Sequence, residues 1–248
     1  MTFQVGVQLI PIRTTLASLR QTWRSLDELG VDSIWLPDHV MSRELEPHHE
    51  CWSLLAAMAC DTARARLGSL VSCNVFRNPE LLAHTAFTVA GLSGGRVTLG
   101  VGAGWFEQEF RDYGFEGLTM PGRMRRLAAD LPRIRGRLDT LSGGPDGRIP
   151  LLVGGNGERV SLRLAARYAD ACNVRCDLDA FHRKMALIDG YCRDAGRDPS
   201  AVERTVLIRE ADLEHVPLYV AGGASHVILL SLPPFPMEPV RRLMALAA

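Results

Sequence analysis

The 248-residue chain balances 28 lysines and arginines against 28 aspartates and glutamates, so no global field draws it to nucleic acid or an anionic membrane. Its hydrophobic content of 47% is ordinary for a globular protein, no apolar run reaches a membrane span, and the N-terminus lacks the basic region of a signal peptide. The six cysteines (51, 60, 73, 172, 176, 192) form no C-x-x-C pair and read as reduced thiols, which with the other signals leads to the expectation of a cytoplasmic protein.

Strand and helix signals alternate from end to end. Residues 3–10 read as a first strand, followed by a helix with Leu16, Leu19, Trp23, Leu26 and Leu29 on one face and Gly30 as its stop. Residues 33–36 read as a second strand ending in Pro37-Asp38-His39, and a polar loop leads to a helix starting near Cys51. Residues 67–71 read as a third strand, halted by Ser72-Cys73-Asn74. Asn78-Pro79-Glu80 has the composition of a helix start: an acceptor for orphan amides, a ring that fits the first turn, and an acid at the positive end. Gly94-Gly95 closes that helix, and residues 97–101 form a fourth strand running into Gly102-Ala103-Gly104-Trp105.

Further on, Leu127, Leu131, Ile134, Leu138 and Leu141 share a helical face. That leaves Arg123, Arg125, Arg126, Arg133, Arg135 and Arg137 on the solvated side, and Pro132 should kink or split the helix. Residues 142–147 read as a surface loop. Residues 151–153 are a fifth strand, with Gly154-Gly155-Asn156-Gly157 leading into a helix that carries Val160, Leu164, Ala165 and Tyr168. Residues 169–174 and 205–208 are the sixth and seventh strands, with a helix at about 179–195 between them and a short one at 212–222 after them. Residues 227–230 are the last strand, before a C-terminal helix from about Glu238. Eight strands each followed by a helix point to the α/β class: a closed (β/α)8 TIM barrel, one domain over residues 1–248, with shortened C-terminal units. Ligands then belong at the carboxyl ends of the strands.

The segment 154–158 is the strongest chemical signal. Glycines let backbone N–H groups approach a ligand, and the following helix presents its positive end, which suits a phosphate or another anion; a tight turn is the plain alternative. Gly100-Val101-Gly102-Ala103-Gly104 lacks the third glycine of the dinucleotide fingerprint and follows the fourth strand, so it fits close ligand approach or tight packing at the barrel mouth. His39 ends a strand where barrel enzymes place chemistry and could exchange a proton near neutral pH, or serve as a hydrogen-bonded structural residue. His48, His49 and Glu50 match no metal-ligand spacing with His39, so no metal is expected.

Four stretches carry a resemblance: WLPDHV (35–40), ECWSLLAAMA (50–59), RLGSLVSCNVFRNPELLAHTAFTVAGLSGGRVTLGVGAGWFEQEF (66–110) and PLLVGGNGERVSLRLAARYADACNV (150–174). On them the chain resembles the bacterial luciferase-like superfamily of flavin and deazaflavin barrels, and more closely its actinobacterial branch that uses coenzyme F420. The resemblance covers most of residues 3–200. It implies a ring lying in the barrel mouth, backed by a bulge with a non-proline cis peptide at Leu70-Val71 or within one residue of it. It also implies coenzyme contact by Asp38 and His39, with His39 the proton donor, and Asn74 and Trp105 near the ring or its side chain. Gly154, Gly155, Asn156 and Gly157 would hold the phosphate. The implied activity is hydride transfer between the deazaflavin and an unidentified small-molecule substrate, by a homodimer. An FMN-dependent monooxygenase on the same barrel and a non-catalytic flavin- or deazaflavin-binding protein are the alternatives.

Overall fold

A computed structural model describes residues 2–44, 46–115, 119–142 and 147–247; positions 143–146 of the expected 142–147 loop lie outside them. The chain runs β1 (Gln4–Leu9), α1 (Leu16–Leu29), β2 (Ser33–Leu36), α2 (Cys51–Asp61), β3 (Arg66–Ser69), β4 (Ser72–Cys73), α3 (Pro79–Ser93), β5 (Val97–Gly102), α4 (Glu107–Asp112) and α5 (Met120–Leu141). It continues with β6 (Leu151–Gly154), α6 (Ser161–Tyr168), β7 (Ala171–Val174), α7 (Leu178–Asp194), β8 (Glu203–Ile208), a 3-10 turn and α8 (Val216–Ala221), β9 (His226–Ser231) and α9 (Glu238–Ala247). The strands pair in parallel in the order β3-β2-β1-β9-β8-β7-β6-β5-β4, and β3 also pairs with β5, which closes the sheet. Because β3 and β4 are two halves of one stave, the described strands make the eight staves of a (β/α)8 barrel.

Local chemistry explains the punctuation. The Asn78 side chain accepts from the amides of Glu80 and Leu81 with Pro79 in the first turn, and Gly30 and Gly94 end their helices in the left-handed conformation that only glycine adopts cheaply. Apolar side chains then fill two spaces. One core lies between strands and helices, with Leu19, Trp23, Leu55, Ala86, Leu131 and Phe181 fully buried. A smaller one fills the barrel itself, where Trp35, Leu70, Leu152, Ala171 and Ile228 meet. Gly68 is a glycine for that reason: a Cβ there would collide with the Trp35 ring.

Three expectations need correcting. The third strand does not run unbroken over 67–71 but divides at Leu70-Val71. Pro132 does not split its helix: α5 is continuous from Met120 to Leu141. Leu127, Leu131, Ile134 and Leu138 are all fully buried, and that burial outweighs the single backbone bond proline removes. Arg123 is not on the solvated side; it is 1% exposed, with its guanidinium 4.7 Å from the Phe110 ring centroid. Helix α4, unforeseen in the sequence, supplies that ring. Among the described residues no helix is long and apolar enough to cross a membrane.

Candidate active site

A cavity of about 1890 Å³ opens at the carboxyl ends of the strands. Typical small-molecule pockets hold roughly 300–1,000 Å³, so this one has room for a large coenzyme and a substrate together. Of the residues singled out from the sequence, Asp38, His39, Leu70, Val71, Trp105, Gly154, Gly155, Asn156 and Gly157 all line it. Asn74 does not. It is buried behind the wall, with Nδ2 donating to Asp130 Oδ2 at 2.9 Å and Oδ1 left without a partner among the described residues.

The floor of the cavity is the break between β3 and β4. The Leu70-Val71 peptide is cis, at the position the resemblance implies. The Leu70 amide donates to Leu36 O at 2.8 Å, and the Gln8 side chain donates to Leu70 O. Ser69 Oγ donates to Gly100 O at 2.9 Å. The Val71 side chain is thereby held over the ends of β5 and β6. A Cβ on Gly102 or on Gly154 would stand 2.6 Å from a Val71 methyl, and one on Gly100 would collide with the Ser69 carbonyl. These three glycines make room for the bulge. The glycine run at the end of β5 is therefore tight packing at the barrel mouth.

One wall carries a histidine pair and a buried acid. Glu109 on α4 is 1% exposed. Its Oε1 accepts from the amides of Val40 and Met41 at 2.7 and 3.1 Å, and its Oε2 lies 2.8 Å from His39 Nδ1. With Nδ1 engaged, Nε2 is the nitrogen His39 can offer to a ligand. The imidazole also meets Trp105 edge-on at 5.5 Å between centroids and His48 at 6.0 Å. Both nitrogens of His48 are buried without a partner among the described residues, and burial together with nearby His39 lowers its pKa to about 4. His48 is therefore neutral at pH 7.

Asp38 is occupied by the protein itself. Its Oδ2 takes Arg77 Nη1 at 2.5 Å and the Cys73 amide at 3.0 Å, and Oδ1 takes Arg77 Nη2 at 3.1 Å. Burial raises this carboxyl above its ordinary range, with Arg77 pulling the other way. Arg77 also pairs with Glu50, the N-cap of α2. The effect is to tie the end of β2 to the end of β4.

Opposite lies the glycine loop after β6. Gly155 has φ +142°, a conformation side chains rarely adopt, and its amide donates to Asn173 O at 3.1 Å. The Asn156 side chain clamps the backbone of Arg175, donating to its carbonyl at 2.6 Å and accepting from its amide at 2.9 Å. Buried Lys184 donates to Asn156 O at 2.8 Å and to Glu158 Oε1 at 3.0 Å. The loop is thus a braced backbone cradle at the start of α6, with a cation behind it, which suits an anion.

Gln8, Arg77, Glu109 and Lys184 were missed in the sequence. Two had a signal: Gln8 is polar within an apolar strand, and Lys184 falls on the buried face of α7 between Phe181 and Ile188.

The family described as luciferase-like monooxygenase matches residues 1–211. An F420-dependent glucose-6-phosphate dehydrogenase from Amycolatopsis mediterranei is 37% identical over 112 residues, which is 44% of this chain. The chain spans 34% of that relative's length and 61% of the next ones it matches. Among solved structures, an F420-dependent secondary alcohol dehydrogenase in complex with an F420-acetone adduct superposes with a TM-score of 0.86 at 18% identity, covering 98% of each chain. The FMN complex of the oxygenating constituent of 3,6-diketocamphane monooxygenase from Pseudomonas putida superposes with a TM-score of 0.70 at 18% identity, over 84% of this chain and 67% of that one.

Proposed function

The chain belongs to the luciferase-like monooxygenase family, and we propose that within it the protein is an F420-dependent oxidoreductase acting on a small organic substrate. The observation that carries this reading is His39, held by buried Glu109 on the wall of a cavity floored by the Val71 bulge and faced by an anion cradle. The residues fit a planar coenzyme with a phosphate. The floor is apolar and broad because glycines at 102 and 154 give way to Val71, and glycines at 155 and 157 let the cradle close around the Ser161 hydroxyl. Bound there, the deazaflavin would supply a hydride donor or acceptor of low oxygen reactivity, since carbon replaces flavin's reactive nitrogen.

The chain's own tasks follow from the geometry. Val71 and Leu70 support one face of a ring and keep water from it. The amides of Asn156 and Gly157 hold an anion, with the Gly155 amide spent on Asn173 O and Lys184 adding positive charge behind them. His39 gives or takes the proton that accompanies hydride transfer, through Nε2, while Glu109 orients the imidazole and balances its charge when protonated. Asp38 acts through position, fixing the strand end from which His39 projects. The reading extends to a homodimer in the cytoplasm; a single sedimenting species of monomer mass would overturn the dimer.

Fluorescence titrations against coenzyme F420 and FMN, each oxidised and reduced, test the coenzyme. Tighter binding of F420 is expected. Preference for FMN would replace this reading with a flavin-dependent monooxygenase. Tight F420 binding with no turnover across alcohols, aldehydes and imines would favour a carrier.

A further inference from the structure

Three arginines reach the cavity rim from separate loops. Arg43 lies in the loop after β2, Arg175 directly after β7, and Arg209 directly after β8; all three line the cavity and are exposed at its mouth. The Arg43 guanidinium sits 4.9 Å from the Trp105 ring centroid, and Trp105 itself packs on His39. Arg43 therefore stands beside the proton-transfer wall. Arg175 is anchored through its backbone by Asn156.

Among the described residues none of the three forms an ion pair, whereas Lys184 in the same cavity is paired to Glu158. The rim carboxylates have other partners: Glu158 serves Lys184 and Arg183, Glu210 approaches Arg242 at 4.0 Å, and Glu44 engages its own backbone, Ser42 and Arg13 ahead of a weaker attraction to Arg43. Arg175 senses the other two. Partial burial, then Arg209 and Arg43, lower the pKa of Arg175, with Asp212 opposing. Like charges gathered on a partly desolvated rim repel unless an anion answers them. Guanidinium forks match carboxylate and phosphate oxygens. The glycine loop at 154–157 is a separate anion cradle, with Lys184 its own cation, so a coenzyme phosphate held there does not account for the rim cluster.

We propose that Arg43, Arg175 and Arg209 form a subsite for an anionic group on the substrate, so that the molecule oxidised or reduced is an organic acid or a phosphate ester. The subsite rests on the oxidoreductase reading for its meaning, and on the arginines alone for its existence.

The test uses inorganic phosphate as the probe, titrated by calorimetry into the protein with and without saturating F420. Wild type should bind phosphate saturably in both states. Arg175→Gln/Arg209→Gln, and separately Arg43→Gln, should weaken the F420-insensitive site at least tenfold while F420 affinity stays within threefold. The proposal is overturned if F420 abolishes all phosphate binding, if the substitutions leave it unchanged, or if they cost F420 affinity instead, since each assigns the cluster to the coenzyme or to nothing. If F420 itself does not bind, the coenzyme reading falls. The F420-free titration then still decides the subsite, with Gly155→Val identifying phosphate bound at the loop.

Discussion

His39 and Glu109 meet through a 2.8 Å contact between Nδ1 and Oε2, across 70 positions of sequence. The carboxylate that receives the imidazole is the same one that ties down the two amides following His39, at Val40 and Met41. One buried group therefore fixes both the tautomer and the backbone that carries the ring.

Glu109→Gln keeps a carbonyl for the two amides but places an NH2 group against Nδ1, which favours the tautomer with Nε2 protonated in the wrong partnership for reversible proton exchange. Turnover should fall by about 10²-fold, in the range general acid–base catalysis supplies. Coenzyme affinity should stay within a few-fold, as it should for His39→Ala, where turnover is lost. A pure loss of binding with unchanged kcat would show that the pair shapes the pocket and does not move protons.

Gly155→Val tests the cradle. Its φ of +142° disfavours any side chain, and a Cβ would stand 3.2 Å from Ser161 Oγ. F420 affinity should drop at least tenfold in a fluorescence titration, with the variant's melting temperature measured alongside to separate misfolding from blocked approach. Unchanged affinity would reduce the loop to a turn.

Gly154→Ala tests the floor. Its Cβ would stand 2.6 Å from Val71 Cγ1, and overpacking of this kind costs about 1–3 kcal/mol. Val71→Ala removes that methyl, so the double variant should recover part of the loss, and denaturant unfolding of all four proteins measures the coupling. Additive effects would mean that Gly154 is not a glycine on Val71's account.

Much of the barrel was legible because its signals are local. The alternation of strand and helix, the Asn78 cap and the Gly30 and Gly94 stops depend on neighbouring residues alone. The break at Leu70-Val71 is different: composition alone shows a strand there, and the resemblance was needed to locate the cis bond. Glu109 was invisible for a related reason. It lies in the short helix α4 and acquires its role only when the fold brings it to His39. Gly102 and Gly154 were visible as glycines, yet the reason for them, the Val71 side chain, comes from another stave. Arg123 misled because helical spacing says which residues share a face, and not that Phe110 would cover one of them.

His48 yields a dependence on pH. Burial, with His39 nearby, lowers its pKa from the usual 6.5 to about 4, so the folded protein binds fewer protons than the unfolded chain between those values. The contribution is fully present above pH 6.5 and is lost as pH falls toward 4; its size is on the order of 1–3 kcal/mol. Wild type should therefore lose melting temperature across this window. His48→Phe cannot be protonated and sits in the same apolar wall, so its melting temperature should change less between pH 7 and pH 4.5. Deeper in acid the two curves should fall in parallel, because carboxylates such as Glu203, lowered to about 2 by His226 and Arg66 against the upward push of burial, then control unfolding in both. A wild-type curve no steeper than that of His48→Phe between pH 6.5 and 4 would mean that His48 is solvated and titrates as in a peptide.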